Sequence, residues 1–132
     1  LTTDERSIVE DLLRLAPLDE PCDWTADLLA VTRDDAGNPI GAFLGRRVDQ
    51  DGRSYALLEH VFMVPGQARG KRFLAVGEAW ATLCRAQGIP QALFTISDER
   101  QAKRPEMIRY ARFWGFRPYK MADGRSWWVK DF

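Results

Sequence analysis

The sequence predicts a mixed α/β fold, and three observations carry that reading. A capped amphipathic helix opens the chain, three strand-like runs follow it with turn signals between them, and the second half returns to helix, strand, helix and two closing strands. Apolar periodicity that switches between 3.6 and 2 in this order describes a sheet flanked by helices.

Thr2-x-x-Glu5 is a capping box, and Ile8, Val9, Leu12, Leu13 and Leu15 then recur on one face of a helix that ends before Pro17. After a Pro/Asp-rich loop, Asp27 to Val31 and Ile40 to Val48 read as strands around the turn cluster 34–38, and Asp51-Gly52 marks a second hairpin turn. Ser54 to Val64 is apolar on both faces apart from Glu59 and His60, the pattern of a central strand covered on both sides. From about Gly70 to Ala86 the spacing of Phe73, Val76, Trp80, Leu83 and Cys84 gives a helix stopped by Gly88 and Pro90. Gln91 to Ile96 is a strand, and Met107, Ile108, Ala111 and Trp114 line a shorter helix closed by Gly115. Tyr119 and Trp127 to Val129 belong to two final strands that turn at Asp123-Gly124.

Composition narrows the function. At 132 residues the chain fits one domain with a core that needs no disulfide staples. Its 19 basic and 19 acidic side chains cancel, so it lacks the charge excess of a nucleic-acid-binding protein. The two cysteines, Cys22 in a loop and Cys84 on a helix, form no CxxC or Cys/His cluster, so no metal is expected and a reducing, cytoplasmic setting is. No apolar run is long enough to cross a bilayer, so no membrane partner is expected. The first residue is Leu1 rather than methionine, which reads as a trimmed, processed or renumbered start.

The segment Leu57 to Leu74, LLEHVFMVPGQARGKRFL, carries the functional information. An apolar strand runs into a basic, glycine-bearing loop that opens a long helix, where unpaired amides and the helix dipole favour a phosphate. With its flanks, the segment resembles the GNAT N-acyltransferase superfamily, whose fourth strand, pyrophosphate loop and third helix follow in this order. The family loop reads Arg/Gln-x-x-Gly-x-Gly/Ala. Here it is Arg69-Gly70-Lys71-Arg72-Phe73-Leu74, or, in a second register, Gln67-x-x-Gly70-x-Arg72. The resemblance implies a GNAT-like mixed, mostly antiparallel sheet flanked by helices. The family places a strand before its first helix and none precedes Thr2 here; the expectation is that it was removed with the N-terminus or that the sheet lacks it.

The reaction so implied moves an acyl group from acetyl-CoA to an amine on a small molecule or protein. Amides from Arg69 to Leu74 would hold the pyrophosphate, with Arg72 and Leu74 adding bulk where the family keeps glycine, and with Arg69, Lys71 and Arg72 adding charge. The strand end, Val61, Phe62 and Met63, would grip the pantetheine arm and polarise the carbonyl. Glu59 is the first candidate for the base, since strict alternation places it about 7 Å from Val61 on the same strand face. His60, on the opposite face by that alternation, is the second. The plainer reading makes both ordinary polar residues near a strand end, paired with an arginine. The acid tyrosine of the family motif N-x-x-A-x-x-F-Y-E-K-L-G-F falls on Ala111, and Tyr110 lies one residue earlier, about 100° around the helix.

Arg69, Lys71, Arg72, Lys103, Arg104, Arg109 and Arg112 are candidates for one basic rim, against a solvated surface balanced by Asp98, Glu99 and Glu106. Trp127 and Trp128 must send one ring to each sheet face. A second function class stands beside the transferase: a GNAT-shaped domain without catalysis, serving a protein assembly such as a phage virion. The run from Met107 to Trp127 is similar to that group as well, and the altered loop and the absent tyrosine point the same way.

Overall fold

In the computed structural model, which describes residues 1–66 and 70–132, the elements run in chain order as α1 (Thr3–Leu15), β1 (Leu28–Arg33), β2 (Pro39–Gln50), β3 (Arg53–Met63), α2 (Gly70–Ala86), β4 (Gln91–Ser97), α3 (Asp98–Lys103), α4 (Glu106–Trp114), β5 (Arg117–Ala122) and β6 (Arg125–Asp131). The six strands form one sheet in the order β1-β2-β3-β4-β6-β5. β3 and β4 are parallel, and the other neighbours are antiparallel.

Two apolar layers cover the sheet. On one face α2 and α4 pack Phe73, Val76, Trp80, Cys84 and Trp114 over Phe43, Ala56, Leu58 and Trp128. On the other, α1 sets Val9 and Leu12 against Ala42, Leu44 and Phe62. The α1 cap forms as expected, with Thr2 and Glu5 exchanging side-chain and backbone bonds. The tryptophans of β6 divide as the alternation requires, Trp128 joining the first layer while Trp127 packs with Leu93 and Val129 on the opposite side.

Two glycines make room for indoles. A Cβ on Gly77 of α2 would stand 2.7 Å from Trp114 Nε1, and one on Gly45 of β2 would stand 2.7 Å from Trp80. Trp80 Nε1 donates to the Leu28 carbonyl at 2.9 Å, tying α2 to the edge strand β1.

The helix α3 has no counterpart in the sequence expectation. Ser97 caps it by accepting from Arg100 N at 3.1 Å, with Asp98 and Glu99 in its first turn. Its six residues bury no side chain fully, so no apolar period marked it.

Candidate active site

β3 and β4 hold together only at their beginnings. Ala56 pairs with Ala92 and Leu57 with Leu93, after which the strands part. The wedge between them is a cleft of about 460 Å³. One end is lined by Met63, Pro65, Gly70, Phe73, Tyr110 and Phe113, from the α2/α4 side, and the other by Pro17, Leu18, Glu20, Glu59, His60 and Arg100.

The parting leaves backbone groups of β3 facing the wedge. Val64 N donates to Ile40 O at 2.9 Å, so the groups of Phe62, two residues back and opposite Ala42, also turn to β2. Those of Val61 and Met63 therefore point away from β2, into the gap left by β4. Of the three strand-end residues expected to grip an acyl donor, Val61 and Met63 have their polar backbone there. Phe62 gives its backbone to β2 and its ring to the α1 layer.

Strict alternation fails at Glu59, and this corrects the expected directions. Leu44 pairs with His60 but Gly45 with Leu58, so Glu59 is the extra residue of a β-bulge. Before it, Ala56 and Leu58 face the α2 layer; after it, Met63 faces that layer and Phe62 faces α1. Glu59 and His60 consequently point together toward the α1–β1 loop at Asp23, rather than to opposite faces, and Glu59 does not share the face of Val61. Glu59 Oε1 accepts from Arg46 Nε at 2.6 Å, and the same Nε lies 3.5 Å from Asp23 Oδ2. His60 Nε2 accepts from Asp23 N at 3.0 Å.

This cluster is electrostatically uneven. The Glu59 side chain is 14 % exposed, and its Oε2 is buried without a hydrogen-bond partner. Burial, and then the adjacent Asp23 carboxyl, push Glu59 up to about 7, with Arg46 opposing. Asp23 is held down to about 2 by the Glu59 carboxyl beside it and by the Thr25 hydroxyl and N–H. Two carboxylates around one arginine thus divide into an anion and a group that titrates near neutrality. Burial lowers the pKa of His60, which is 6 % exposed. Since Nε2 accepts, the neutral ring carries its proton on Nδ1, which lies 3.5 Å from Glu20 Oε1.

The loop over this end of the cleft is fastened to α3. Arg100 reaches Asp19 and Glu20, each at 2.7 Å, and Arg104 reaches Asp19 at 3.0 Å and Glu106 at 2.6 Å. None of Asp19, Glu20, Asp23, Arg46 or Arg100 was a candidate from sequence. Their partners lie up to 85 residues away, and the only local signal was the Asp-x-Thr turn at Asp23.

At the opposite end, Gly70 begins α2 in an exposed position, and a Cβ there would make an ordinary 3.4 Å contact with Phe113. Lys71 and Arg72 are exposed, Phe73 lines the cleft, and Leu74 packs against the core. Neither Arg72 nor Leu74 lines the cleft, so the bulk expected from them does not plug it. Arg69 and Gln67 lie outside the described residues. Tyr110 is half exposed, lines the cleft and stacks against Phe73 at 5.5 Å, whereas Ala111 is buried beside it.

Three members of the expected basic rim are engaged with other side chains, and Arg69 lies outside the described residues. Lys103 pairs with Glu99, Arg104 with Asp19 and Glu106, and Arg112 lies over Trp128 at 4.7 Å. Among the described residues no group of three or more His, Cys, Asp or Glu is placed to hold a metal ion, and no helix is long and apolar enough to cross a membrane.

No family model matches the chain, and no curated protein matches it by sequence. Solved structures do. A SpeG spermidine N-acetyltransferase chimera from Vibrio cholerae and hSSAT superposes with a TM-score of 0.67 at 12 % identity, covering 98 % of this chain and 92 % of its own. Arabidopsis thaliana Naa50, solved with the bisubstrate analogue CoA-Ac-MVNAL, gives 0.67 at 9 % identity, covering 100 % and 95 %. Ard1 from Thermoplasma volcanium gives 0.55 at 20 % identity, covering 96 % and 78 %. Splayed central strands, a helix opening at the mouth of the wedge and this likeness over nearly the whole chain together make the fold that of the GNAT acetyltransferases.

Proposed function

We propose that this chain is an N-acyltransferase that moves an acyl group, acetyl in the simplest case, from acyl-CoA to a primary amine. The observation that carries the reading is the open wedge between β3 and β4, which has outward backbone groups of Val61 and Met63 on one strand and Glu59 at its bulge. The Naa50 neighbour, solved with a CoA-containing analogue, supports a CoA thioester as the donor.

The residues divide the work as follows. Amides at the start of α2, from Gly70 to Phe73, face the pyrophosphate with the positive end of the helix dipole, and Lys71 and Arg72 add charge at that exposed corner. Val61 or Met63 N–H donates to the thioester oxygen and to the oxyanion that forms there. Glu59, held near pKa 7 and largely buried, takes the proton from the incoming ammonium through a water. The free amine then attacks the carbonyl carbon, the C–N bond forms, the C–S bond breaks, and the second proton of the nitrogen passes to the CoA thiolate directly, through water or by relay through Tyr110. His60 stays neutral and fixes the Asp23 loop through Nε2, which makes it a positioning residue.

The deciding experiment is thermal unfolding with and without acetyl-CoA. A ligand at about 100 times its dissociation constant adds about 2.7 kcal/mol. The wild type and Gly70→Ala should both be stabilised, since a Cβ at that position fits. Gly70→Glu, which sets a negative charge at the helix start, should fold and lose the shift. An unshifted wild type at millimolar acetyl-CoA would instead support the non-catalytic assembly role.

A further inference from the structure

We propose that the acyl group this chain holds best is a short unbranched alkyl chain, of butanoyl to hexanoyl length, lodged in the apex of the wedge between β3 and β4. This rests on the transferase reading above and names the donor class for the same cleft.

The direction of the donor follows from where its parts are held. With the pyrophosphate at the start of α2 and the thioester carbonyl at the outward N–H of Val61 or Met63, the pantetheine arm runs back along β3 from Gly70 and Pro65 toward Val61. The acyl group leaves the carbonyl on the side away from that arm. It therefore continues toward the point where Leu57 meets Leu93 and the wedge closes. From Val61 back to Leu58 is up to about 10 Å of strand, at about 3.3 Å per residue. An acetyl group extends one C–C bond, about 1.5 Å, beyond its carbonyl and leaves most of that depth unfilled.

The apex is apolar on the side of the sheet that α2 and α4 cover. Leu58, Phe94, Ala111, Trp114 and Phe116 all line the cleft and all belong to that one layer. Phe116 joins them into a wall, its ring 6.1 Å from Phe94 and 5.5 Å from Trp114. Trp114 Nε1, the one polar side-chain atom among the five, is buried against Gly77 of α2. Glu59 and His60 turn the other way, toward Asp23 and Arg46, so an alkyl chain on this wall meets no charge. Such a chain takes apolar surface out of water on both sides of the contact. A hydroxylated or charged acyl chain would leave its polar groups there without partners.

The test is calorimetric titration of the chain with CoA, acetyl-CoA, butanoyl-CoA, hexanoyl-CoA and octanoyl-CoA. Affinity should rise about fourfold for each methylene that enters the apex, so that hexanoyl-CoA binds about tenfold or more tighter than acetyl-CoA. Ala111→Leu, which narrows the apex, should weaken hexanoyl-CoA more than acetyl-CoA and cut that preference about tenfold. Phe94→Ala, which opens it, should shift the tightest binder to octanoyl-CoA. An affinity that is flat or falls from acetyl to hexanoyl overturns the inference, and acetyl-CoA binding in the same series spares the transferase reading. A gain with chain length that neither substitution changes overturns it as well, because the chain then lies outside the apex. If neither CoA nor any thioester binds, the transferase reading falls and the inference with it.

Discussion

Arg46 Nε holds Glu59 Oε1 at 2.6 Å while Glu59 Oε2, on the same carboxylate, is buried with no partner. One oxygen fixes the side chain, while burial and the adjacent Asp23 carboxyl raise the pKa of the group. In the proposed reaction this carboxyl is the base, reached through a water.

With its pKa near 7, Glu59 must lose a proton before it can accept one from the amine. The kcat/KM for transfer should rise about tenfold per pH unit below 7 and level off above it. Glu59→Gln should lower the plateau by about 10² to 10⁴ and flatten that limb, leaving the affinity for acetyl-CoA unchanged. A pH–rate profile of both proteins tests this.

Arg46 restrains the rise in the Glu59 pKa. Arg46→Met should therefore move the acid limb of the same profile to higher pH while Glu59 is still present. A limb that stays in place would show that the titrating group is not Glu59.

Stability should depend on pH in opposite senses at three groups. Between 4.5 and about 7 the folded Glu59 keeps a proton that the unfolded chain has released, so its contribution falls as pH rises. Asp23, depressed from 3.8 to about 2, contributes stability above 3.8 that is lost as pH falls through 2. His60, lowered by burial, resists the proton that the unfolded chain takes below 6.5, so its contribution falls as pH drops. Urea midpoints should show Glu59→Gln gaining on the wild type more at about pH 8 than at about pH 5.

Gly77→Ala should destabilise by about 1–3 kcal/mol, because its methyl meets the Trp114 indole in a packed layer. Gly88→Ala tests a different cause at an open position, where φ is +76° and strain alone acts. Denaturant unfolding of both, with Trp fluorescence as the probe, separates crowding from backbone strain.

Most of the fold was legible because its signals are local. The Thr2 box, the 3.6-residue stripe of α2, the Asp51-Gly52 and Asp123-Gly124 turns, and the two-sided apolar run of β3 each depend on neighbours in sequence. The site was legible only in outline. Val61, Met63, Gly70 and Glu59 were named from the strand–loop–helix junction, but the direction of Glu59 and His60 was not, because a bulge is a property of two paired strands and leaves no period in one of them. Asp23, Arg46 and Arg100 escaped for the same reason, since what makes them part of the site is a partner brought in by the sheet. The short α3 escaped because capping, rather than burial, defines it.

The extra residue at position 59 sets the phase of everything that follows it in β3. Replacing Glu59 removes an acid; deleting it would turn the strand over, sending Phe62 toward Phe43 and Trp80 and Met63 toward Leu12. An evolving chain can therefore exchange the side chain at this point without turning the strand, but it can shed the position itself only by rebuilding both layers of the core.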